Sequence, residues 1–352
     1  MKSCDVVRID NIAKRSGIII RWHITSLCNY QCDFCIQGDR KRHIEKSKGE
    51  SPELRKNICN KLIDYIENEI NGKYKLINLY LIGGEITILP DFLDIVNKIV
   101  NCKFKGKITI RITTNLSTKT EILEQLSNIF KSKPKRKLSV LASYYKEFSN
   151  EDEFIEKIKL INKKNKFKNV PFSNKLQNKI DFIRRVRFEY GNLNIRASIG
   201  YPLCNDKDYD DYLEFKKRNR IYADSISFII IKGYKTSISE EIKGKILKNS
   251  NGKCIRVKFN NGKVYYFENT NKIALKLDNE DSFNPKGYLC DTGIRSISID
   301  NLGNISRCTS CKKASYIGNI LTDGVKLMTD KFICPSNSCG CTYFKSIRKN
   351  EK

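Results

Sequence analysis

Along the first two-thirds of the chain, short β-branched runs alternate with longer stretches in which apolar residues recur every three or four positions. GIIIRWHIT (17–25), INLYLIGGE (77–85), KITIRITT (107–114), KLSVLASYY (137–145), LNIRASIGY (193–201) and SISFIIIKG (225–233) read as strands. Between them, residues 51–70, 89–100, 119–130, 150–161 and 208–218 read as helices. The first helix is the clearest, with Ser51 as N-cap, Pro52 at its first position and Leu54, Ile58, Leu62 and Ile66 on one face. Six strand units with intervening helices, and no glycine fingerprint after the first strand, predict an α/β fold: an open, partial (β/α)6 TIM-like barrel rather than a doubly wound dinucleotide fold. In either architecture the reacting groups gather at the strand C-terminal ends, which puts CNYQCDFC (28–35) and GGE (83–85) on one rim.

The periodicity changes after residue 235. KCIRVKFNNGKVYYFEN (253–269) alternates on either side of Asn261-Gly262, a hairpin signal. The chain therefore divides into an N-terminal segment (1–16), a barrel (17–235), a connector with a β-hairpin insert (236–286) and a cysteine-rich end (287–352).

Charge and cysteine content narrow the class. Lys and Arg exceed Asp and Glu by 27, an excess that raises nucleic acid as a partner. Basic runs such as KSKPKRK (131–137) are short and lack interleaved aromatics, so they are read as solvated faces. No signal core or membrane-length apolar stretch stands out, so the 14 cysteines are expected to be reduced thiols of a cytoplasmic protein with no membrane partner. They cluster, three at 28–35 and six at 290–341, as metal centres do.

Cys28, Cys32 and Cys35 follow C-x3-C-x2-C. Three thiolates can hold three corners of an iron–sulfur cubane and leave one iron open, whereas a zinc site would need a fourth ligand such as His23. The spacing, with Phe34 before the last cysteine, resembles the cluster motif of the radical S-adenosylmethionine (radical SAM) enzymes. The resemblance implies a 4Fe-4S cluster whose open iron binds S-adenosylmethionine. It also implies one-electron cleavage to a 5'-deoxyadenosyl radical and abstraction of a substrate hydrogen atom. Gly83, Gly84 and Glu85 match the family's GGE motif, which contacts the cofactor's amino group, although Ile86 stands where proline is usual. By the same resemblance Asn115, after the third strand, and Ser143, ending the fourth, are expected at the cofactor, while Arg196 and Ser198 await a strand register.

At the other end, Cys290, Gly303 and Cys308 fit C-x12-G-x4-C around a DNLGN turn, which resembles the SPASM and twitch extensions of radical SAM enzymes. The further C-x2-C-x5-C-x3-C run of a two-cluster extension is absent, so the resemblance implies one auxiliary 4Fe-4S cluster. Its expected ligands are Cys290, Cys308, Cys334 and Cys341, with Cys339 as the alternate fourth ligand and Cys311 spare or facing substrate, and a zinc ribbon is the alternative. IGNI (317–320) is read as a buried connector.

The resemblance leaves the substrate open between a ribosomally made peptide, receiving a crosslink, thioether or epimerisation, and a small sugar or aminocyclitol that is dehydrogenated or rearranged. A non-enzymatic iron–sulfur or zinc protein binding nucleic acid is the remaining alternative. A flavodoxin- or ferredoxin-like electron donor is implied in both enzyme readings. With 27 residues ahead of Cys28, leader recognition would fall to a separate protein or to an edge strand of the 253–269 hairpin. Tyr144, Tyr145 and Cys311 are candidates for acid, base or radical donor by position alone.

Overall fold

The computed structural model describes residues 6–11, 17–33, 35, 38–162, 194–220, 222–223, 225–230, 238–248, 255–267, 286–309, 311, 313–337 and 347–348. In chain order the elements are β1 (Val6–Asn11), β2 (Ile18–Thr25), α1 (Arg40–Ser47) and α2 (Pro52–Asp64, continued by a π-helical turn Tyr65–Ile70). Next come β3 (Leu76–Gly83), α3 (Phe92–Asn101), β4 (Lys107–Thr114), α4 (Thr120–Ile129), β5 (Arg136–Ser143) and α5 (Glu151–Asn162). β6 (Ile195–Leu203), α6 (Asp206–Asn219), β7 (Ser225–Ile230), α7 (Glu240–Lys248), β8 (Ile255–Phe259) and β9 (Val264–Phe267) follow. The last strands are β10 (Leu289–Cys290), β11 (Ser296–Ile299), β12 (Asn304–Ser306), β13 (Tyr316–Asn319), β14 (Phe332–Ile333) and β15 (Ile347–Arg348). Two compact units emerge: residues 22–236, and residues 1–21 together with 237–352. Among the described residues no helix is long and apolar enough to cross a membrane.

In the central unit β2 to β7 lie side by side in sequence order, and the registers from β3 to β7 are parallel. Among the described residues β7 ends the row without pairing back to β2, as in an open partial barrel. One strand parity carries the core: Trp22 and Ile24, Ile77, Leu79 and Leu81, Ile108, Ile110 and Ile112, then Leu138 and Val140 are all at most 1% exposed. The helices bury matching faces, such as Ile58, Cys59 and Leu62 on α2 and Ile95, Val96 and Ile99 on α3. Each such aliphatic side chain contributes roughly 1.5–3 kcal/mol of transfer free energy. Ser51 caps α2 by accepting from Leu54 N (3.0 Å), and Pro52 opens it, as its sequence predicts. Arg136, at the start of β5, donates to the carbonyls of Val100, Cys102, Phe104 and Gly106, so one guanidinium closes the sheet end opposite the rim.

The other unit is antiparallel. Its larger sheet runs β14-β10-β15-β1-β8-β9. The 253–269 hairpin is present as β8 and β9 with Gly262 at φ +81°, but it joins a sheet with the cysteine-rich end and with β1 rather than standing as a separate insert. β11, β12 and β13 form a meander around the DNLGN turn. In that turn Asp300 accepts from Leu302 N and Asn304 N, and Gly303 adopts φ +84°. IGNI is thus mainly a strand, β13.

Candidate functional site

The site grows from the C-terminal ends of β2 to β5. Beyond β2, the chain turns through Cys28, Cys32 and Cys35, all free and half-buried. Cys35 N donates to Cys32 O (3.0 Å), which folds the last two cysteines into one turn, and the loop ends where Asp39 caps α1 by accepting from Arg42 N. Burial raises the Cys28 thiol, and burial together with the neighbouring Cys35 and Cys28 pushes Cys32 up to about 12. The three sulfurs therefore feel one another, and as bare thiolates they would repel; binding to a shared cation removes that penalty.

Gly83 and Gly84 serve the cysteine loop directly. A Cβ at Gly83 would lie 2.2 Å from Thr25 O, and one at Gly84 1.9 Å from Leu27 O. The absence of side chains lets Gly84 N donate to Thr25 O (2.9 Å) and Glu85 N to Leu27 O (2.8 Å). The close backbone approach expected of these glycines is thus made, among the described residues, to the root of the cysteine loop.

Glu85 is 1% exposed, and its carboxylate accepts from Thr87 N (3.0 Å), Thr87 Oγ1 (2.6 Å), Thr114 Oγ1 (2.8 Å) and Asn115 N (2.5 Å). The bonds from Thr114 and Asn115 tie the end of β3 to the end of β4. Burial nevertheless holds its carboxyl above the ordinary range, against the lowering effect of the donors. Asn115 turns its amide toward the loop, donating to Asn29 Oδ1 (3.1 Å). Ser143 closes β5 and is hydrogen-bonded to Tyr145, whose phenol is raised by burial and by the nearby Cys32, Cys35 and Cys28. Tyr144 instead stacks on Phe215 (4.5 Å) and meets Phe154 edge-on, away from the thiols. Tyr30 from the cysteine loop stacks on Phe148 (5.0 Å) and meets Tyr145 edge-on.

Three supporting residues carry no sequence signal strong enough to single them out. Glu50 accepts from Thr25 Oγ1 (2.5 Å) and Ser26 N (2.7 Å), pinning the base of the loop. Arg55 approaches Glu50 (3.9 Å) and forks onto Asp91 at 2.8 Å through two nitrogens. His43 donates from Nδ1 to Ser26 O (2.6 Å), which leaves Nε2 facing Cys35 Sγ at 3.4 Å. A buried charge just before an N-cap, and a histidine in a chain with only two, are the faint signals available.

In the antiparallel unit, Cys290, Cys308 and Cys334 are buried and Cys311 is half-buried, all as free thiols. Gly287 N donates to Cys334 O and Cys334 N to Tyr288 O, both at 2.8 Å, which seats Cys334 beside the strand of Cys290. Thr292 Oγ1 donates to Arg307 O, drawing the segment after Cys290 toward Cys308. Ser315 bonds both main-chain groups of Cys308, and its own N donates to Cys311 O. Phe34, Cys339 and Cys341 lie outside the described residues.

Among the described residues no three His, Cys, Asp or Glu side chains close around a point suited to one metal ion. An all-sulfur set spread around a loop fits separate iron corners of a polynuclear cluster better than a single tetrahedral zinc ion. Cys28, Cys32 and Cys35 are thiol donors of the kind an iron–sulfur cluster takes, and all three lie on one loop.

Residues 22–170 match the family model described as the radical SAM superfamily. Similar solved structures include Streptococcus suis SuiB bound to S-adenosylmethionine (13% identity, 86% of this chain, 63% of that chain, TM-score 0.41). SuiB bound to precursor peptide SuiA (12%, 88%, 63%, 0.42) and BtrN in complex with AdoMet and 2-DOIA (12%, 88%, 81%, 0.35) are also similar. The chain spans 63% of the SuiB chain in the first of these. A search of curated proteins finds no match.

Proposed function

We propose, on the premise that this chain is a radical SAM enzyme with its family domain at residues 22–170, that it removes a hydrogen atom from a ribosomally made peptide and so installs a crosslink, thioether or epimerised residue. The observation that carries the radical reading is the three half-buried free thiols, Cys28, Cys32 and Cys35, on a loop whose root is hydrogen-bonded to Gly84 and Glu85 at one sheet rim. Cys28, Cys32 and Cys35 would hold the 4Fe-4S cluster, with Gly83, Gly84, Glu85, Asn115, Ser143 and Phe34 around S-adenosylmethionine. When bound, this pair supplies the 5'-deoxyadenosyl radical after one electron from a flavodoxin- or ferredoxin-like donor. The chain's own work is to fix the loop: Glu50 and Gly84 hold its root, Glu85 locks β3 to β4, and Tyr30, Tyr145 and Phe148 cover it. Cys290, Cys308, Cys334 and Cys341, or Cys339 in place of Cys341, would hold one auxiliary 4Fe-4S cluster, supported by the buried thiols of Cys290, Cys308 and Cys334, the first and last on paired segments and Cys308 linked through Thr292.

SuiB has been solved with a precursor peptide and BtrN with 2-DOIA, so at this level of likeness the substrate is argued from this chain alone. Among the described residues β9 is the outermost strand of its sheet, and an extended peptide segment would pair with its outer side. The test is anaerobic reconstitution with iron, sulfide, a strong reductant and S-adenosylmethionine. 5'-Deoxyadenosine should form with wild type and not with Cys28→Ala, and iron should reach about eight per chain for two cubanes. Equal product from Cys28→Ala would end the radical reading, and about four irons would remove the auxiliary cluster. Conversion of an aminocyclitol with no change in any peptide offered would replace the peptide by the small-molecule reading.

A further inference from the structure

The strand parity turned away from the helices carries a row of cations. The parallel registers Tyr80↔Arg111, Arg111↔Ser139 and Ser139↔Arg196 set these four residues abreast on β3, β4, β5 and β6. One row nearer the strand N-termini, Asn78↔Thr109↔Lys137 are abreast, so Lys137 lies about 7 Å along β5 from Ser139. None of the six strands β2 to β7 contains Asp or Glu. Ordinary parallel strands packed on both faces are apolar throughout, so this face departs from what sheet burial alone would select.

The local chemistry is that of an oxyanion site. Arg196 Nε donates to Ser139 Oγ (3.1 Å), which uses an acceptor lone pair of the hydroxyl and leaves its proton available to another acceptor. Arg111 stacks its guanidinium over Tyr80 at 5.6 Å and reaches Asn78 Oδ1 at 3.5 Å, yet its buried Nε has no hydrogen-bond partner among the described residues. Two guanidinium forks on β4 and β6 stand about 10 Å apart at the backbone, with the hydroxyl between them. Arg111 and Arg196 are half-buried, so solvent reaches the row. It lies three residues below Thr114, about 10 Å inside the rim of the thiols.

We infer that this row, Arg111, Ser139 and Arg196 with Lys137 behind it, binds an oxyanion carried by the substrate: a carboxylate, or a phosphate, which offers the same chemistry. This deepens the reading above and rests on it for the site's being catalytic. It selects a peptide bearing an acidic side chain, and it opposes an aminocyclitol, whose ammonium would meet like charge.

The reconstituted holoenzyme is titrated by calorimetry with glutarate, inorganic phosphate and neutral glutaramide. Wild type should bind glutarate or phosphate and not glutaramide. Binding should weaken about tenfold in Arg111→Gln and in Arg196→Gln, the loss of one charge-assisted contact, and by less in Arg111→Lys. Circular dichroism and iron content identify any variant that fails to fold, and Ser139→Ala then supplies the milder loss. Tighter glutarate supports a carboxylate substrate and tighter phosphate a phosphorylated one. Glutarate binding that survives both glutamine substitutions, or glutaramide binding as tight, overturns the proposal. S-adenosylmethionine affinity is measured in the same variants; a loss in step with glutarate would assign the row to the cofactor's carboxylate and also overturn it. A wild type that binds glutarate but yields no 5'-deoxyadenosine would fail the radical reading alone.

Discussion

Replacing Gly84 with alanine should detach the cysteine loop from β3. The added Cβ would stand 1.9 Å from Leu27 O and 2.5 Å from its carbonyl carbon, where ordinary contact begins at 3.4 Å. Both obstacles are main chain and cannot swing aside, so the backbones must part by about 1.5 Å. That movement pulls on Gly84 N to Thr25 O and Glu85 N to Leu27 O. Two hydrogen bonds at about 0.5–1.5 kcal/mol each, and overpacking at about 1–3 kcal/mol, sum to about 2–6 kcal/mol. Against a typical domain stability of about 5–15 kcal/mol, this is enough to cripple the fold or the loop. Urea unfolding of the anaerobically reconstituted protein, with iron counted per chain, reads both effects. Gly244→Ala is the control: its Cβ meets nothing within 4 Å and it lies in α7, so it should gain about 0.5–1 kcal/mol. If Gly84→Ala unfolds within about 0.5 kcal/mol of wild type and loads the same iron, the close approach does not hold the loop.

Two further outcomes follow from buried charge. Burial raises Glu85 above its unfolded carboxyl value, so its contribution to stability is full below the unfolded value of about 4.3 and is lost as pH rises through the raised folded value. Glu85→Gln should therefore flatten the fall of stability with pH above that point, while costing about 1–3 kcal/mol because one amide NH2 faces backbone and hydroxyl donors; an unchanged slope would refute the assignment. Arg136→Ala leaves four carbonyls at the opposite sheet end without their donor and should cost about 3–5 kcal/mol in denaturant unfolding, with iron per folded chain unchanged; a loss under about 1 kcal/mol would show that other groups satisfy them.

The six barrel strands were legible because each is a short, largely apolar run rich in aliphatic residues, and five helices because their apolar positions recur on one face. What the sequence could not supply was parity: Arg196 and Ser198 are placed only once Ser139↔Arg196 and Leu141↔Ser198 are paired. Glu85 was visible as a motif, but its four donors come from Thr87, Thr114 and Asn115, and the last two are distant in sequence. The antiparallel unit was the least legible. Strands of two residues such as β10 and β14 leave no periodicity to read, and β1 draws its order from partners hundreds of positions away.

That last pairing has a consequence for synthesis. β1 lies between β8 and β15, with Arg8 opposite Arg348. A ribosome adding about 5–20 residues per second needs roughly 20–70 s to travel from one to the other. For that interval the first strand made waits beside the tunnel with an unsatisfied edge, while the barrel strands can already zip in order. The sheet that holds Cys290 therefore closes only after β15 has been made, later than the parallel sheet.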